Sequence, residues 1–215
     1  MKTFQFRCRA IEIEHSCRHR NEEEPDHTLK LLKCATSVVE ATEGMLFHGI
    51  IKSPANSYQI DFDFDSVWIK TVNTIGWKNK PLHNLGELHN IPSIQPDVFL
   101  TQDGVTAVVE IEKSNKKTIW FDFIKILMLI GQDVADFGLL LVPRNYAHKV
   151  GVWDLFREAR YYKSCLTRFA KVDHTLLSKI AIVGYTQEAY VFGKWTQLDS
   201  SVVRSIKQQV RDHFS

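Results

Sequence analysis

The stretch Pro96–Glu112, PDVFLTQDGVTAVVEIE, decides the fold, because it predicts a hairpin whose register can be derived. Asp103-Gly104 is typical of a two-residue type I′ turn, since both central residues of that turn need positive φ. Counting outward from this turn along both strands places Asp97 opposite Glu110. One face of the hairpin is wholly apolar, and we expect it to be core; it carries Val98, Leu100, Val105, Ala107, Val109 and Ile111.

The other face of this hairpin ends in carboxylates. Alternate side chains of a strand share a face, so Glu112 is expected about 7 Å beyond Glu110 on the same side. The sequence thus predicts that Asp97, Glu110 and Glu112 collect at one corner of a sheet. Clustered carboxylates repel one another, so they either extend into water or hold a hard divalent cation, and Mg²⁺ suits such oxygens. A strand with an ordinary wet face is the alternative.

The segments around the hairpin alternate between strand and helix patterns. After it, periodicity predicts a helix over 118–130, a buried strand over 137–142, a helix over 152–170, a strand over 180–185 and a helix over 199–213. Before it, the pattern predicts a strand over 1–14, a loop over 15–27, a helix over 28–41 and a β-rich segment over 46–75. We expect the helix over 118–130 to bury Trp120, Phe123, Ile124, Leu127 and Ile130. This order predicts an α/β fold with a mixed β-sheet flanked by helices.

Within the β-rich segment, aspartate and phenylalanine alternate over 61–65. Period-two alternation is typical of an edge strand with one face in water, and we favour this interpretation. A ladder of metal-binding carboxylates is the alternative, but no neighbouring residue of the sequence supports it.

Length and composition describe one globular domain. The chain has 215 residues, 44% hydrophobic and 24% charged, which excludes a wholly disordered protein. The formal net charge of +2 neither requires nor excludes a nucleic-acid partner. The longest apolar runs, around 126–130 and 137–142, are far shorter than the roughly 20 residues of a membrane span. The first residues lack the apolar stretch of a signal peptide, so we expect a cytoplasmic protein without membrane contact.

Several segments, in order, resemble one nuclease family. Pro96-Asp97 followed by Glu110-Ile111-Glu112 resembles the PD-(D/E)xK motif, with glutamate where lysine usually stands. This glutamate is similar to that of the BamHI and BglII-like branch of Type II restriction endonucleases. Asn79-Lys80-Pro81-Leu82, VEIEKSN, FGLLLVP and AIVGYTQEAY resemble further segments of that branch. The likeness covers about residues 77–192 and implies a restriction-endonuclease-like core, with 1–75 as an N-terminal elaboration of a single 1–215 nuclease domain.

The resemblance implies a role for each matching residue. Asp97 and Glu110 would bind one or two Mg²⁺ ions, with the backbone carbonyl of Ile111 as a further ligand. Glu112 would orient or deprotonate the attacking water, and Asn79 would hold a water molecule or the metal shell. Lys113 follows the motif directly, but strand alternation points its side chain away from the carboxylate face. A catalytic role for Lys113 would therefore require a local bulge.

Two basic segments are expected to contact DNA. The first surrounds a helix start, where lysines and backbone amides favour phosphate and asparagine can pair with adenine; it comprises Lys113, Asn115, Lys116 and Lys117. Its alternative is a solvated helix cap. The second flanks the helix over 152–170 and comprises Arg144, Lys149, Arg157, Arg160, Lys163, Arg168 and Lys171. Members of the nuclease family that the sequence resembles contact bases from near the start of that helix. The resemblance therefore implies that His148 and Lys149 contact bases.

These features predict a Type II site-specific endonuclease that uses Mg²⁺ to hydrolyse both strands of double-stranded DNA and leaves 5′-phosphate ends. Cutting a palindromic site requires two active sites related by a twofold axis, so we expect a homodimer. Trp120, Phe121 and Met128 are candidates to extend beyond the monomer core, although we favour a core role for them. Two alternatives stay open: a repair or junction nuclease with the same core but no strict sequence dependence, and a non-catalytic DNA-binding module of the same fold.

Overall fold

A computed structural model describes residues 2–15, 25–52, 61–79, 95–113, 115–148, 151–168 and 170–215. Its strands are β1 (Lys2–His15), β2 (Leu46–Ile51), β3 (Asp61–Phe62), β4 (Lys78–Asn79), β5 (Val98–Gln102), β6 (Val105–Ile111), β7 (Phe137–Pro143), β8 (Tyr146–His148), β9 (Gly151–Trp153), β10 (Ile180–Val191) and β11 (Lys194–Gln197). Its helices are α1 (Pro25–Thr42), α2 (Phe64–Thr74), α3 (Ile119–Gly131), α4 (Leu155–Arg168), α5 (His174–Ser178) and α6 (Ser200–Phe214). The predicted α/β class, a mixed sheet flanked by helices, is confirmed.

Three parallel strands, β6, β7 and β10, form the middle of the main sheet. Antiparallel strands extend it on both sides, in the order β3-β2-β1-β10-β7-β6-β5-β4, and β11 pairs with the far end of β10. β8 and β9 form a separate hairpin. The strand β1 therefore lies inside the sheet, so residues 2–15 are part of the same sheet as the predicted core segments.

Helices cover both faces of this sheet. On one face, α1, α2 and α6 pack on a core that includes Phe6, Trp68 and Val109. On the other face, α3, α4 and α5 pack on a second core that includes Val108 and Phe123. Every residue of β7 is buried, as expected for a parallel strand between two helical layers.

The β5–β6 hairpin has the predicted register. Asp103 and Gly104 both have positive φ, 51° and 78°, and Val98 pairs with Val109, so Asp97 and Glu110 are the next opposed residues. The predicted apolar face lies in the core beneath α1, α2 and α6. The carboxylate face, however, is not a wet face along its length, because Val108 lies in the second core beneath α3.

The prediction of a β-rich segment over 46–75 is wrong from residue 64 onward. β3 comprises two residues only, and α2 begins at Phe64, so the aspartates of 61–65 do not share one strand face. The buried residues of α2 are Phe64, Trp68 and Val72, which recur every four residues. The Asp-Phe alternation and the β-branched residues of this segment conceal that helical period.

The predicted buried side of α3 is wrong in part. Phe123 and Ile130 are buried as expected, but Ile124 is 37% exposed and Asp122 is buried instead. Nearly the whole circumference of α3 is apolar, so periodicity alone could not select the side that faces the sheet. No helix in the described part of the chain, α3 included, is both long enough and apolar enough to cross a membrane.

Candidate functional site

Acidic residues from three elements meet at the C-terminal end of β6. Asp97 precedes β5, Glu110 and Glu112 lie at the end of β6, and Asp122 lies in the first turn of α3. We call these four residues the acidic edge. Asp97 is fixed against the strand end, because its Oδ2 accepts a hydrogen bond from the backbone amide of Ile111 at 2.7 Å. The hairpin register and the packing of α3 together create this cluster.

Glu110 is the deeply buried member of the acidic edge, with 1% of its surface exposed. Its Oε2 accepts a hydrogen bond from Lys125 Nζ at 2.5 Å, whereas its Oε1 is buried with no hydrogen-bond partner among the described residues. Burial raises the pKa of Glu110 to about 8, against the opposing effect of Lys125, and the charges of Asp97 and Asp122 add to the rise. A buried polar atom without a hydrogen bond lowers the stability of the folded state by about 1–3 kcal/mol.

Lys125 of α3 lies between two carboxylates of the acidic edge. Its Nζ is 2.5 Å from Glu110 Oε2 and 3.2 Å from Asp122 Oδ1. Burial raises the pKa of Asp122 to about 6, although Lys125 acts in the opposite direction. Burial alone would lower the pKa of Lys125, but its hydrogen bonds to the two carboxylates and their charges leave that pKa above its ordinary value.

Sequence reasoning missed both Asp122 and Lys125. A signal was present, since these are the charged residues of the otherwise apolar helix IWFDFIKILMLIG, and they stand three positions apart. At that spacing the two side chains meet on the helix surface. A charged pair inside an apolar helix therefore indicated a buried electrostatic partner on the sheet.

Glu112 is turned toward the start of α3. Its carboxylate accepts hydrogen bonds from the backbone amide of Asn115, at 2.8 Å, and from the hydroxyl group of Thr118. Burial and the charge of Glu112 raise the pKa of Tyr146 in β8. Glu112 thus organises the segment that the sequence predicted to contact DNA.

Within the described ranges, no group of three or more His, Cys, Asp or Glu side chains is arranged to hold a metal ion. Two of these carboxylates already have other partners. Lys125 donates a hydrogen bond to Oε2 of Glu110, and the backbone amide of Asn115 donates one to Glu112. The donor set nevertheless fits Mg²⁺, which prefers carboxylate and carbonyl oxygens. Asp97, Glu110 and the backbone carbonyl of Ile111 would supply such oxygens, and Oε1 of Glu110 is among the buried side-chain atoms of the described residues that have no hydrogen-bond partner.

Lys113 and Asn79 lie apart from the acidic edge. Lys113 forms an ion pair with Asp65 of α2, which packs on the sheet face opposite α3. Its side chain thus points away from Glu110, as strand alternation predicts. Asn79 is exposed at the end of β4 and pairs with Leu100, three positions along the chain from Asp97. Residues 80–82, which belong to the same quoted segment, lie outside the described residues.

The segment before α3 presents polar groups beside Glu112. Asn115 and Lys117 are exposed, and Asn115 Oδ1 accepts a hydrogen bond from the backbone amide of Lys117 at 3.0 Å. The ammonium group of Lys116 lies 5.4 Å from the ring centroid of Trp153 and 3.8 Å from Glu158 Oε1. Lys116 therefore links this segment to β9 and α4.

Four members of the second predicted basic set lie on α4, namely Arg157, Arg160, Lys163 and Arg168. Arg144 follows β7 and forms an ion pair with Glu12 of β1 at 3.1 Å. Lys149 and the side chain of His148 lie outside the described residues. An open cavity of about 380 Å³ separates α4 from β1, and it is lined by Glu14, Arg157, Arg160, Tyr161, Lys163, Ser164 and Thr167.

Comparison with known proteins returns no match for this chain among protein-family models, curated proteins or solved structures. The site must therefore be interpreted from its own chemistry. That chemistry is a buried carboxylate with an unfilled oxygen, three neighbouring carboxylates and a lysine, at the edge of a sheet beside exposed basic residues.

Proposed function

We propose that the protein is a Type II site-specific endonuclease with a PD-(D/E)xK, restriction-endonuclease-like core, acting on double-stranded DNA in the cytoplasm of a bacterial or archaeal cell. One observation carries the proposal: Glu110 is 1% exposed, and its Oε1 has no hydrogen-bond partner in the described part of the chain. A buried carboxylate oxygen without a partner is costly. A divalent cation held by Asp97 and Glu110 would remove this cost.

The residues of the acidic edge can divide the work of phosphodiester hydrolysis. Bound Mg²⁺ would lower the pKa of a water molecule and neutralise charge that develops on the scissile phosphate. Asp97, Glu110 and the carbonyl of Ile111 would hold the ion, while Glu112 orients the attacking water. Breaking the bond between phosphorus and the 3′ oxygen leaves a 5′-phosphate and a 3′-hydroxyl. Such a reaction requires no serine or cysteine nucleophile.

Exposed polar and basic residues near Glu112 and on α4 support DNA as the substrate. Asn115 and Lys117 are exposed within a few residues of Glu112. On α4, Arg157 and Arg160 line the open cavity, and neither guanidinium forms an ion pair with any described residue. Arginines without an ion-pair partner bind phosphate oxygens well. Such contacts position a nuclease on the duplex but do not read its sequence.

An exposed apolar stripe on α3 supports a homodimer. Phe121, Ile124 and Met128 are 64%, 37% and 38% exposed and stand at positions i, i+3 and i+7 of the helix. That spacing is typical of a helix face that packs against another element. Because cutting a palindrome needs two sites related by a twofold axis, we propose that a second copy of the chain covers this stripe.

The dimer is tested by Phe121→Asp, with Phe192→Asp as a control because Phe192 is 78% exposed in the turn between β10 and β11. Light scattering after size exclusion should give a dimer mass for the wild type and for Phe192→Asp, and a monomer mass for Phe121→Asp. A buried charge at a twofold contact costs several kcal/mol, enough to dissociate a moderate dimer. A monomeric wild type, or a dimer that survives Phe121→Asp, would contradict this interface.

The endonuclease proposal is tested by digestion of plasmid DNA with Mg²⁺, with Ca²⁺ and with EDTA. We expect discrete fragments with Mg²⁺ alone, 5′-phosphates at the sequenced ends, and no cutting by Asp97→Asn, which keeps an acceptor for the amide of Ile111. A smear, or cutting only at branched structures, would favour the repair or junction nuclease. No cutting with any divalent cation would contradict a nuclease.

The hydrogen bonds of Glu112 favour a second candidate function, that of a non-catalytic DNA-binding module. Its carboxylate accepts hydrogen bonds from Asn115 and Thr118, and a structural cap needs nothing more. In a nuclease, Glu112→Gln should abolish cutting and leave DNA affinity unchanged within about twofold, because the amide oxygen still accepts from Asn115. In a binding module, the wild type cuts nothing. Gel-shift and cleavage assays on the same oligonucleotide distinguish the two.

A further inference from the structure

We propose that Lys125 is an internal counter-cation of the acidic edge, which bridges Glu110 and Asp122 in the metal-free protein and gives way when a divalent cation binds. The inference rests on the proposed metal site. It makes Lys125 a positioning residue that acts through Glu110, and it assigns no role to Lys125 in the reaction with water.

The first support is the position of the ammonium group. Lys125 Nζ lies 2.5 Å from Glu110 and 3.2 Å from Asp122, so one cation bridges two carboxylates from different elements. Asp97 and Asp122 also act on Glu110 through their charges. Without a cation among them, these groups would repel one another in a poorly solvated place.

The second support is the uneven use of the Glu110 carboxylate. Lys125 occupies Oε2, while Oε1 has no hydrogen-bond partner among the described residues. A divalent cation that reached both oxygens would lie within a few ångströms of the ammonium group. Two cations at that distance repel strongly, so the ion and the present position of Lys125 exclude each other.

The third support is the route by which Lys125 can leave. The side chain of Lys125 is 18% exposed, whereas that of Glu110 is 1% exposed. A change of rotamer can therefore move the ammonium group into water while its methylene groups stay on the helix surface.

The test is calorimetric titration of the full-length protein with Ca²⁺, at mildly alkaline pH and without DNA. The variant is Lys125→Met, and the matched control is Lys70→Met, because Lys70 is an exposed lysine of α2 on the other side of the sheet. We expect Lys125→Met to bind Ca²⁺ about tenfold more tightly than the wild type, since a repelling charge is removed. Lys70→Met should bind as the wild type does.

Melting temperatures in EDTA and in Ca²⁺ give a second readout. Lys125→Met should melt lower than Lys70→Met in EDTA and gain more from Ca²⁺, and if it is unfolded in EDTA, Ca²⁺ should restore its fold. The double variant Glu110→Gln/Lys125→Met, which removes both charges, should be stable in EDTA and indifferent to Ca²⁺. These results together would support exchange of one cation for another.

The outcomes separate this inference from the proposed function. If the wild type binds Ca²⁺ and Lys125→Met binds it equally or more weakly, the proposed exchange of Lys125 for the cation is contradicted, whereas the proposed metal site is supported. If no variant binds Ca²⁺, and plasmid DNA is still cut with Mg²⁺, the exchange is wrong and the nuclease stands with its metal elsewhere. If there is neither binding nor cutting, both are wrong.

Discussion

Two lysine–glutamate pairs on the α3 and α4 side of the sheet, each with one buried side chain, have opposite patterns of burial. In the pair of Lys163 and Glu14, the lysine side chain is 4% exposed and the glutamate 24%. In the pair of Lys125 and Glu110, the glutamate is 1% exposed and the lysine 18%. Lys163 also donates a hydrogen bond to the backbone carbonyl of Ile180 at 2.7 Å, which ties it to the sheet.

This difference separates a structural ion pair from one that can change. Lys163 is buried and fixed by a backbone acceptor, and its glutamate partner is the more accessible of the two. Glu110 is fixed on β6 with an unfilled oxygen, and its lysine partner is the more accessible one. We therefore propose that the incompletely paired Glu110 accepts an exchangeable cation, whereas the ion pair of Lys163 is structural.

The largest expected effect is a difference in cleavage rate between variants of Glu110 and of Glu14. Glu110→Gln should lower the cleavage rate with Mg²⁺ by about 10³-fold or more, because loss of a charged ligand removes several kcal/mol of transition-state stabilisation. Glu14→Gln should change this rate by less than about threefold. Single-turnover cleavage of one oligonucleotide measures both. Equal losses in the two variants would remove the distinction between the pairs.

The next effect concerns stability. Lys163→Met should lower the free energy of unfolding by about 3–5 kcal/mol, because it removes a buried ammonium group that donates to the carbonyl of Ile180 and pairs with Glu14. Unlike the loss in Lys125→Met, this loss should be the same in EDTA and in Ca²⁺. Urea unfolding followed by circular dichroism gives both values. Recovery of Lys163→Met by Ca²⁺ would show that the comparison is wrong.

The pH dependence of stability sharpens the contrast. In the folded protein the pKa of Glu110 rises from 4.5 to about 8, so the folded state holds a proton that the unfolded chain releases. This contribution to stability is complete below pH 4.5 and is lost as pH rises to about 8, and Asp122, with a pKa raised to about 6, adds in the same direction.

In EDTA, the wild type should therefore lose on the order of 3 kcal/mol of unfolding free energy between pH 5 and 8. Glu110→Gln should lose clearly less, with Asp122 responsible for the remainder, while Glu14→Gln should follow the wild type. Chemical denaturation at a series of pH values measures these slopes. A wild-type stability that rises with pH over this range would contradict the burial of Glu110 beside Asp97, Asp122 and Lys125.

The smallest expected effect concerns DNA binding near Lys163. Arg157 and Arg160 share its cavity but not its ion pair, so they are available for phosphates. Each substitution to alanine should weaken DNA binding in Ca²⁺ a few-fold and lower the slope of log K against log salt by about 1. Lys70→Ala, an exposed lysine of α2 on the other face of the sheet, is the control. Unchanged salt slopes in both arginine variants would place the DNA elsewhere.

The sequence sufficed to predict the parts of the molecule that local rules determine. The Asp103-Gly104 turn has one favoured geometry, so the register that opposes Asp97 to Glu110 followed directly. The rotation of α3 does not follow from local rules, because nearly all of its faces are apolar and only packing selects one. Asp122 and Lys125 therefore escaped prediction, although they surround the residue on which the site depends. Likewise, α2 was hidden by an Asp-Phe alternation that imitates a strand.

The central claim, a divalent cation at Glu110, is tested most directly by anomalous diffraction from crystals soaked in Mn²⁺. We predict an anomalous peak within coordination distance of Asp97 and Glu110 Oε1, with the ammonium group of Lys125 moved toward solvent. A peak found only elsewhere, or none while Lys125 still bridges Glu110 and Asp122, would contradict the account.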